Sequence, residues 1–157
     1  MPVPWPVPVV VTNNGTPTAS FTAQAQALSP SFFVFNGGPY VAATHVNGSY
    51  LGPATLYPGL TTPAQPGEIV VIYANGFGPT SIPVASGSIT QGGTLSPLPA
   101  ITIAGRNAAV QFAGLISPGL FQFNVMVPDT VPQGDQSIKA SFGGANTQSG
   151  TVLTIHP

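Results

Sequence analysis

Charge is what this sequence has least of. Two basic and three acidic residues stand among 157, for a net charge of −1, where a typical soluble domain carries about a quarter charged residues. Arg106 and Lys139 cannot neutralise a track of phosphates, which excludes nucleic acid as a partner. Such a surface must be hydrated by Ser, Thr, Asn and Gln, helped by attached sugars or by burial against neighbouring subunits. A chain so poor in charge is prone to associate. Cysteine is absent, which removes disulfides, zinc thiolate sites and thiol catalysis while leaving the compartment open. No apolar run approaches the roughly 18 residues of a membrane-spanning helix, so no membrane insertion is expected. The opening MPVPWPVPVVV lacks a basic region and a small-residue cleavage site and does not read as a signal peptide. Helical periodicity is missing throughout.

What is present is apolar material broken by turn residues. Hydrophobic residues make up 43%, and 19 Gly and 19 Pro fall between the apolar runs, the punctuation of many short strands. Strands are expected in 68-EIVVIYANGFGP, 101-ITIAGRNAAVQF, 120-LFQFNVMVP and 137-SIKASFGGANTQSGTVLTI, which are rich in β-branched and aromatic residues. In the third, Phe121, Phe123, Val125 and Val127 alternate with Gln122, Asn124 and Met126, predicting one buried and one largely polar face. A hairpin is expected in 41-VAATHVNGSYL, with Asn47-Gly48 as a type I′ turn, and another tight turn in 104-AGRNA. The length suits one domain, or one domain with an appendage.

The two ends resemble each other. VPVVVTNNGTPTASFTAQAQ from Val7 and SIKASFGGANTQSGTVLTIH from Ser137 both read as strand, Gly/Asn turn, small polar stretch, strand. The second would close a β-sandwich, whereas the first has no sandwich before it, and a lone hairpin is only marginally stable in water. At the extreme N-terminus Pro2, Pro4, Pro6 and Pro8 alternate with Val3, Trp5, Val7 and Val9. In an extended strand these prolines strip the donors from one edge only, leaving the other able to pair, and place the valines and Trp5 on one apolar face. A polyproline II linker fits the same X-Pro repeat.

Three blocks, 63-PAQPGEIVVIYANGFGPT, 98-LPAITIAGRNAAVQFAGLISPGLFQFNVMVP and 134-GDQSIKASFGGANTQSGTVLTI, resemble in their order the C-terminal immunoglobulin-like domain of large secreted proteins of Solibacter and related acidobacteria. Upstream, 29-SPSFFVFNGGPYVAATHVNGSY is similar to the segment preceding that domain. The resemblance covers the chain from about Leu28 onward. It implies an exported β-sandwich with no catalytic residues to carry over. The organisation expected is an N-terminal Pro/Val strand and hairpin over 1–27, a hairpin-containing β segment over 28–65, and an all-β immunoglobulin-like antiparallel sandwich over 66–157.

Groups able to move protons are few: Glu68, Asp129, Asp135, His45 and His156. No Gly-x-Ser-x-Gly elbow accompanies them and His156 stands one residue from the end, so a Ser-His-Asp catalyst is not expected and the chain reads as a non-enzyme. Glu68, after Pro66-Gly67, suits a turn acceptor, and His45 beside a hairpin turn suits a hydrogen-bonded surface role. Asp129 and Asp135 flank a loop but supply too few of the 6–8 oxygens that calcium takes. Arg106 reads as a solvated turn residue. No metal or cofactor is expected. Asn14 and Asn47 begin Asn-x-Ser/Thr triplets in turns, which makes them candidate glycan acceptors. Trp5, Tyr40, Tyr50, Tyr57 and Tyr73 have rings that can stack on sugar.

These features lead to an expected function: a structural subunit of an extracellular or cell-surface filament, a homopolymer assembled head-to-tail by strand exchange. The N-terminal segment is the donor, with Val3, Trp5, Val7, Val9 and Val11 at the subunit interface. Two other readings stay open, a monomeric secreted binding module for carbohydrate or protein, and a fragment of a longer exported repeat protein in which 1–27 finishes the preceding module.

Overall fold

The computed structural model describes residues 4–156, and nearly all its regular structure is strand. The N-terminal stretch supplies β1 (Trp5–Val9), β2 (Thr12–Asn13), β3 (Thr16–Pro17) and β4 (Phe21–Ala25). Next come β5 (Ser31–Phe32), a single 3-10 turn at Phe35–Gly37, β6 (Ala43–His45), β7 (Tyr50–Leu51) and β8 (Thr61–Thr62). The remainder forms β9 (Ile69–Asn75), β10 (Gly93–Thr94), β11 (Ala100–Ile103), β12 (Arg106–Ser117), β13 (Leu120–Met126), β14 (Gly134–Phe142), β15 (Ala145–Asn146) and β16 (Val152–Ile155).

Strands β5 to β16 belong to one curled sheet whose main path runs β15-β14-β11-β12-β13-β9-β6-β7-β8. The sheet wraps back on itself at β16, which pairs with β14 on one side and meets Tyr40 and Ala64 in parallel bridges on the other. There Val41 N–H donates to the Val152 carbonyl at 3.1 Å and Ala64 N–H to the Thr154 carbonyl at 2.9 Å. Register shifts in β12 at Val110/Phe112 and Leu115/Ser117 bend this strand, and bulges bend and twist in this way. One of its edges thereby serves β11 at Ala108 and then β10 at Gly114 and Leu115. The result is an all-β, sandwich-like body.

Its core follows from the period-2 patterns. In β13 Phe121, Phe123 and Val125 are buried, as is Val127 beyond it, while Gln122, Asn124 and Met126 stay partly exposed, the face assignment the alternation predicts. Phe77 packs edge-on against Phe123 with ring centroids 4.7 Å apart. Phe32, Val41, Ala43 and Leu51 join the same core as Leu153 and Ile155, so the stretch 28–65 and the C-terminal stretch share one interior. The core cluster begins at Phe32. Leu28 lies over Gly78 and Gly143, where a side chain on either glycine would collide with it.

Two turns depart from or follow expectation for steric reasons. The Asn47-Gly48 turn is not type I′: Gly48 N–H donates to the His45 carbonyl at 2.9 Å, and of the pair Gly48 alone has positive φ, 87°. This is a three-residue loop ending in a left-handed glycine, a common hairpin alternative. Ala104 and Gly105, with φ of 51° and 71°, do make the tight turn between β11 and β12, at the steric cost that a left-handed alanine carries.

Candidate assembly interface and the His45 cluster

β1 and β4 form a two-stranded sheet by themselves, pairing antiparallel with Trp5 opposite Ala25, Pro6 opposite Gln24, Val7 opposite Ala23, Pro8 opposite Thr22 and Val9 opposite Phe21. Opposed residues in an antiparallel ladder alternate between pairs that exchange both hydrogen bonds and pairs that exchange none. Proline has no N–H, so the Pro6 and Pro8 pairs are the non-bonded ones, and Trp5, Val7 and Val9 carry the bonds to β4. The ladder continues past β1, where Thr18 N–H donates to the Val11 carbonyl at 2.9 Å and Val11 N–H to Thr18 Oγ1 at 3.2 Å. Between Val9/Phe21 and Thr12/Pro17 the second strand carries one extra residue, a bulge. Asn14 and Gly15, at φ 47° and 80°, close the tip as a type I′ turn demands.

One face of this hairpin is apolar and open. Residues opposed across a ladder share a face, so Trp5, Val7 and Val9 stand beside Ala25, Ala23 and Phe21. Trp5 is 47% exposed, Val9 42% and Phe21 71%. The other face carries Pro6 and Pro8 with Thr22 and Gln24. Of the five residues expected at an interface, Trp5, Val7 and Val9 lie together on the open face. Val11 lies past β1 and is exposed, and Val3 falls outside the described residues. The edge of β1 that keeps its donors is already taken by β4. Phe21 was missed at the sequence level, because its place beside Val9 depends on the register.

A second cluster joins parts of the body. His45 closes β6, and its Nδ1 meets Glu68 Oε1 in a close hydrogen-bonding contact, while Nε2 lies 2.9 Å from Thr62 Oγ1 and 3.2 Å from the Thr62 carbonyl. Glu68 Oε2 also accepts the Gln65 N–H at 2.9 Å, so this carboxylate is the turn acceptor its position after Pro66-Gly67 predicts. The three side chains border a hollow of about 360 Å³ with Val46, Asn47 and Ser49. Carboxylate, imidazole and hydroxyl stand in the order of a general-base relay. Here the hydroxyl is a secondary alcohol on the short strand β8, and its own carbonyl shares Nε2. The arrangement cross-links β6, β8 and the 65–68 turn. Sequence separations of 17 and 23 residues hid it, although β9 pairs Val70 with His45 and thereby brings Glu68 close.

The remaining singled-out residues are dispersed. Asp135 accepts from Tyr40 Oη at 3.0 Å and from Thr154 Oγ1 at 2.6 Å; the phenol, donating to a carboxylate, is held above its ordinary pKa by that bond first, then by desolvation and the carboxylate's charge. Asp129 sits instead against the Gly67 turn, and no three acidic or histidine side chains converge among the described residues. Arg106 is exposed beside the Ala104-Gly105 turn. Asn14 is exposed at the hairpin tip, and Asn47 is exposed with its Oδ1 accepting from Ser49 N–H at 2.9 Å and Ser49 Oγ at 2.7 Å. Tyr50 and Tyr57 pack edge-on around Phe35 with centroids 5.8 and 5.6 Å from it, while Tyr50 stays exposed. Among the described residues no helix is long and apolar enough to cross a membrane.

No protein-family model matches the chain, and no curated protein matches it.

Proposed function

We propose that this protein is a structural subunit of an extracellular assembly, an immunoglobulin-like β-sandwich that joins its neighbours by adding the N-terminal hairpin to the sheet of another copy. The observation that carries this reading is the isolated two-strand sheet of β1 and β4, with Trp5, Val9 and Phe21 exposed on one face. Two strands alone are marginal in water and gain stability from further strands or from packing against another element. Fully burying a large apolar side chain contributes about 1.5–3 kcal/mol, less the cost of ordering the partners. The contact is heterologous, hairpin to body, and propagates into a filament unless its rotation closes a ring. Near-absence of charge removes the repulsion that keeps copies apart. Asn14 and Asn47 are the proposed glycan acceptors, and the resemblance to the acidobacterial family supports export.

The test is removal of residues 1–26, which leaves the core cluster from Phe32 onward whole, followed by sizing and negative-stain microscopy. A monomeric variant beside a polymeric full-length chain supports the proposal; polymers that persist unchanged remove it. The likeness of 7–26 to 137–156 favours one competing reading, in which the hairpin closes the preceding module of a longer repeat protein. Full-length material that is monomeric at every concentration would favour that reading.

A further inference from the structure

The hairpin has two long edges, and they are not equivalent. On β1 the outward positions are Pro6 and Pro8, which offer carbonyls and no donors. On β4 the outward positions opposite them are Thr22 and Gln24, each with an outward-facing N–H and C=O, and among the described residues β4 has no strand beside it other than β1. Edge strands of natural sheets are blunted by charge, proline or a bulge. β1 carries the prolines; the run FTAQA of β4 has neither charge nor proline.

We infer that β4, and not the Pro/Val strand β1, is the strand that pairs with a neighbour, that the neighbour is a second copy of this chain, and that β1 is the terminal strand of the joined sheet. The inference rests on the assembly reading above and names the edge through which it works. A row of alternating backbone donors and acceptors is satisfied by another extended strand. A second copy fits it on charge, because the hairpin has no Asp, Glu, Lys or Arg and the whole chain has only two basic and three acidic residues, so hairpin and acceptor body meet without like-charge opposition. The prolines of β1 then give the joined sheet one blocked edge, so addition stops after one hairpin per acceptor.

Proline substitution on β4 separates the edge from the face. Thr22→Pro with Gln24→Pro removes the outward donors and leaves the β1–β4 bonds of Ala23, Ala25 and Phe21 in place, because positions 22 and 24 belong to non-bonded pairs. Trp5→Ser with Phe21→Ser spares both edges and removes the apolar face. Each full-length variant is sized by light scattering at the concentration where the parent polymerises, with circular dichroism reporting the body. Expected is loss of polymer in the proline variant, down to the 15.9 kDa chain, with the body's spectrum kept. Polymer retained in the proline variant but lost in the face variant overturns the β4 edge and leaves the assembly reading standing. Polymer retained in both overturns the two together. Should the double proline disturb the body, Gln24→Pro alone carries the same test.

Discussion

Pro6 stands directly opposite Gln24 in the N-terminal hairpin, so one side of this two-strand sheet has no donor where the other has a complete peptide group. That asymmetry predicts the outcome of the reverse substitution. Pro6→Thr with Pro8→Thr restores donors to the outer edge of β1 and opens a second pairing edge. Larger, laterally associated particles are expected in light scattering, at unchanged body stability. Particles of parental size would show that the prolines have no capping role.

Trp5 is the one tryptophan in the chain, and it is about half exposed on the open face. Packing of that face against a second copy moves its indole from water into an apolar setting. Emission is expected to shift to shorter wavelength as concentration rises through assembly, and to stay put in Thr22→Pro/Gln24→Pro. An emission maximum independent of concentration across the polymerisation range would contradict burial of Trp5.

His45 and Glu68 tie β6 to the turn that enters β9, and each has a further partner, Thr62 for the ring and the Gln65 N–H for the carboxylate. Removing one member leaves the others short of a partner, which costs about 1–3 kcal/mol for partly buried polar groups. Glu68→Ala and His45→Ala are each expected to lower stability by that order in urea unfolding, with the double variant costing less than the sum. Full additivity would mean the two side chains act separately.

Gly76 and Gly59 both adopt positive φ, 74° and 78°, but only Gly76 is crowded. A methyl group there would run into the Ser29 carbonyl, whereas Gly59 faces open space. Gly59→Ala should cost about 1–2 kcal/mol for the left-handed backbone alone. Gly76→Ala should add roughly 1–3 kcal/mol of overpacking, because Ser29 is held by its N–H bond to the Gly76 carbonyl at 2.9 Å. Equal costs in denaturant unfolding would disprove the close approach of the two segments.

Tyr40 donates to Asp135, and the bond exists only while the phenol keeps its proton, which is why its pKa lies above the usual value. A raised folded-state pKa means the contribution is fully present below the ordinary phenol pKa of about 10 and is lost as pH climbs through the folded value. In an absorbance titration of tyrosinate, Tyr40 should ionise after an unperturbed phenol would, and Asp135→Ala should bring it back. A titration unaffected by Asp135→Ala would rule out the contact in solution.

Much of the fold was legible in the chain because it depends on neighbours along the chain. Alternation in 120–127 assigned the faces of β13, and Gly and Pro marked where strands stop. Glu68 was legible as a turn acceptor because its partner is three residues away. Asn47-Gly48 was misread because the dipeptide serves both a two-residue and a three-residue loop, and only the pairing of β6 with β7 chooses between them. Likewise the Pro/Val repeat told which edge of β1 keeps its donors, but not that β4 already occupies it.

By itself the sequence determined that this is an all-β chain without thiol chemistry and almost without charge, and that its Pro/Val repeat, wherever it is extended, can bond along one edge only, since residue types and a period of two settle those properties locally. Only the tertiary structure decided which strand lies beside which: that Thr22 and Gln24 face outward, that Phe21 joins Trp5 on an open face, and that His45, Glu68 and Thr62 meet. Those relations depend on strand register and on the curl of the sheet, and both come from the packing of one shared core that no local window of residues contains.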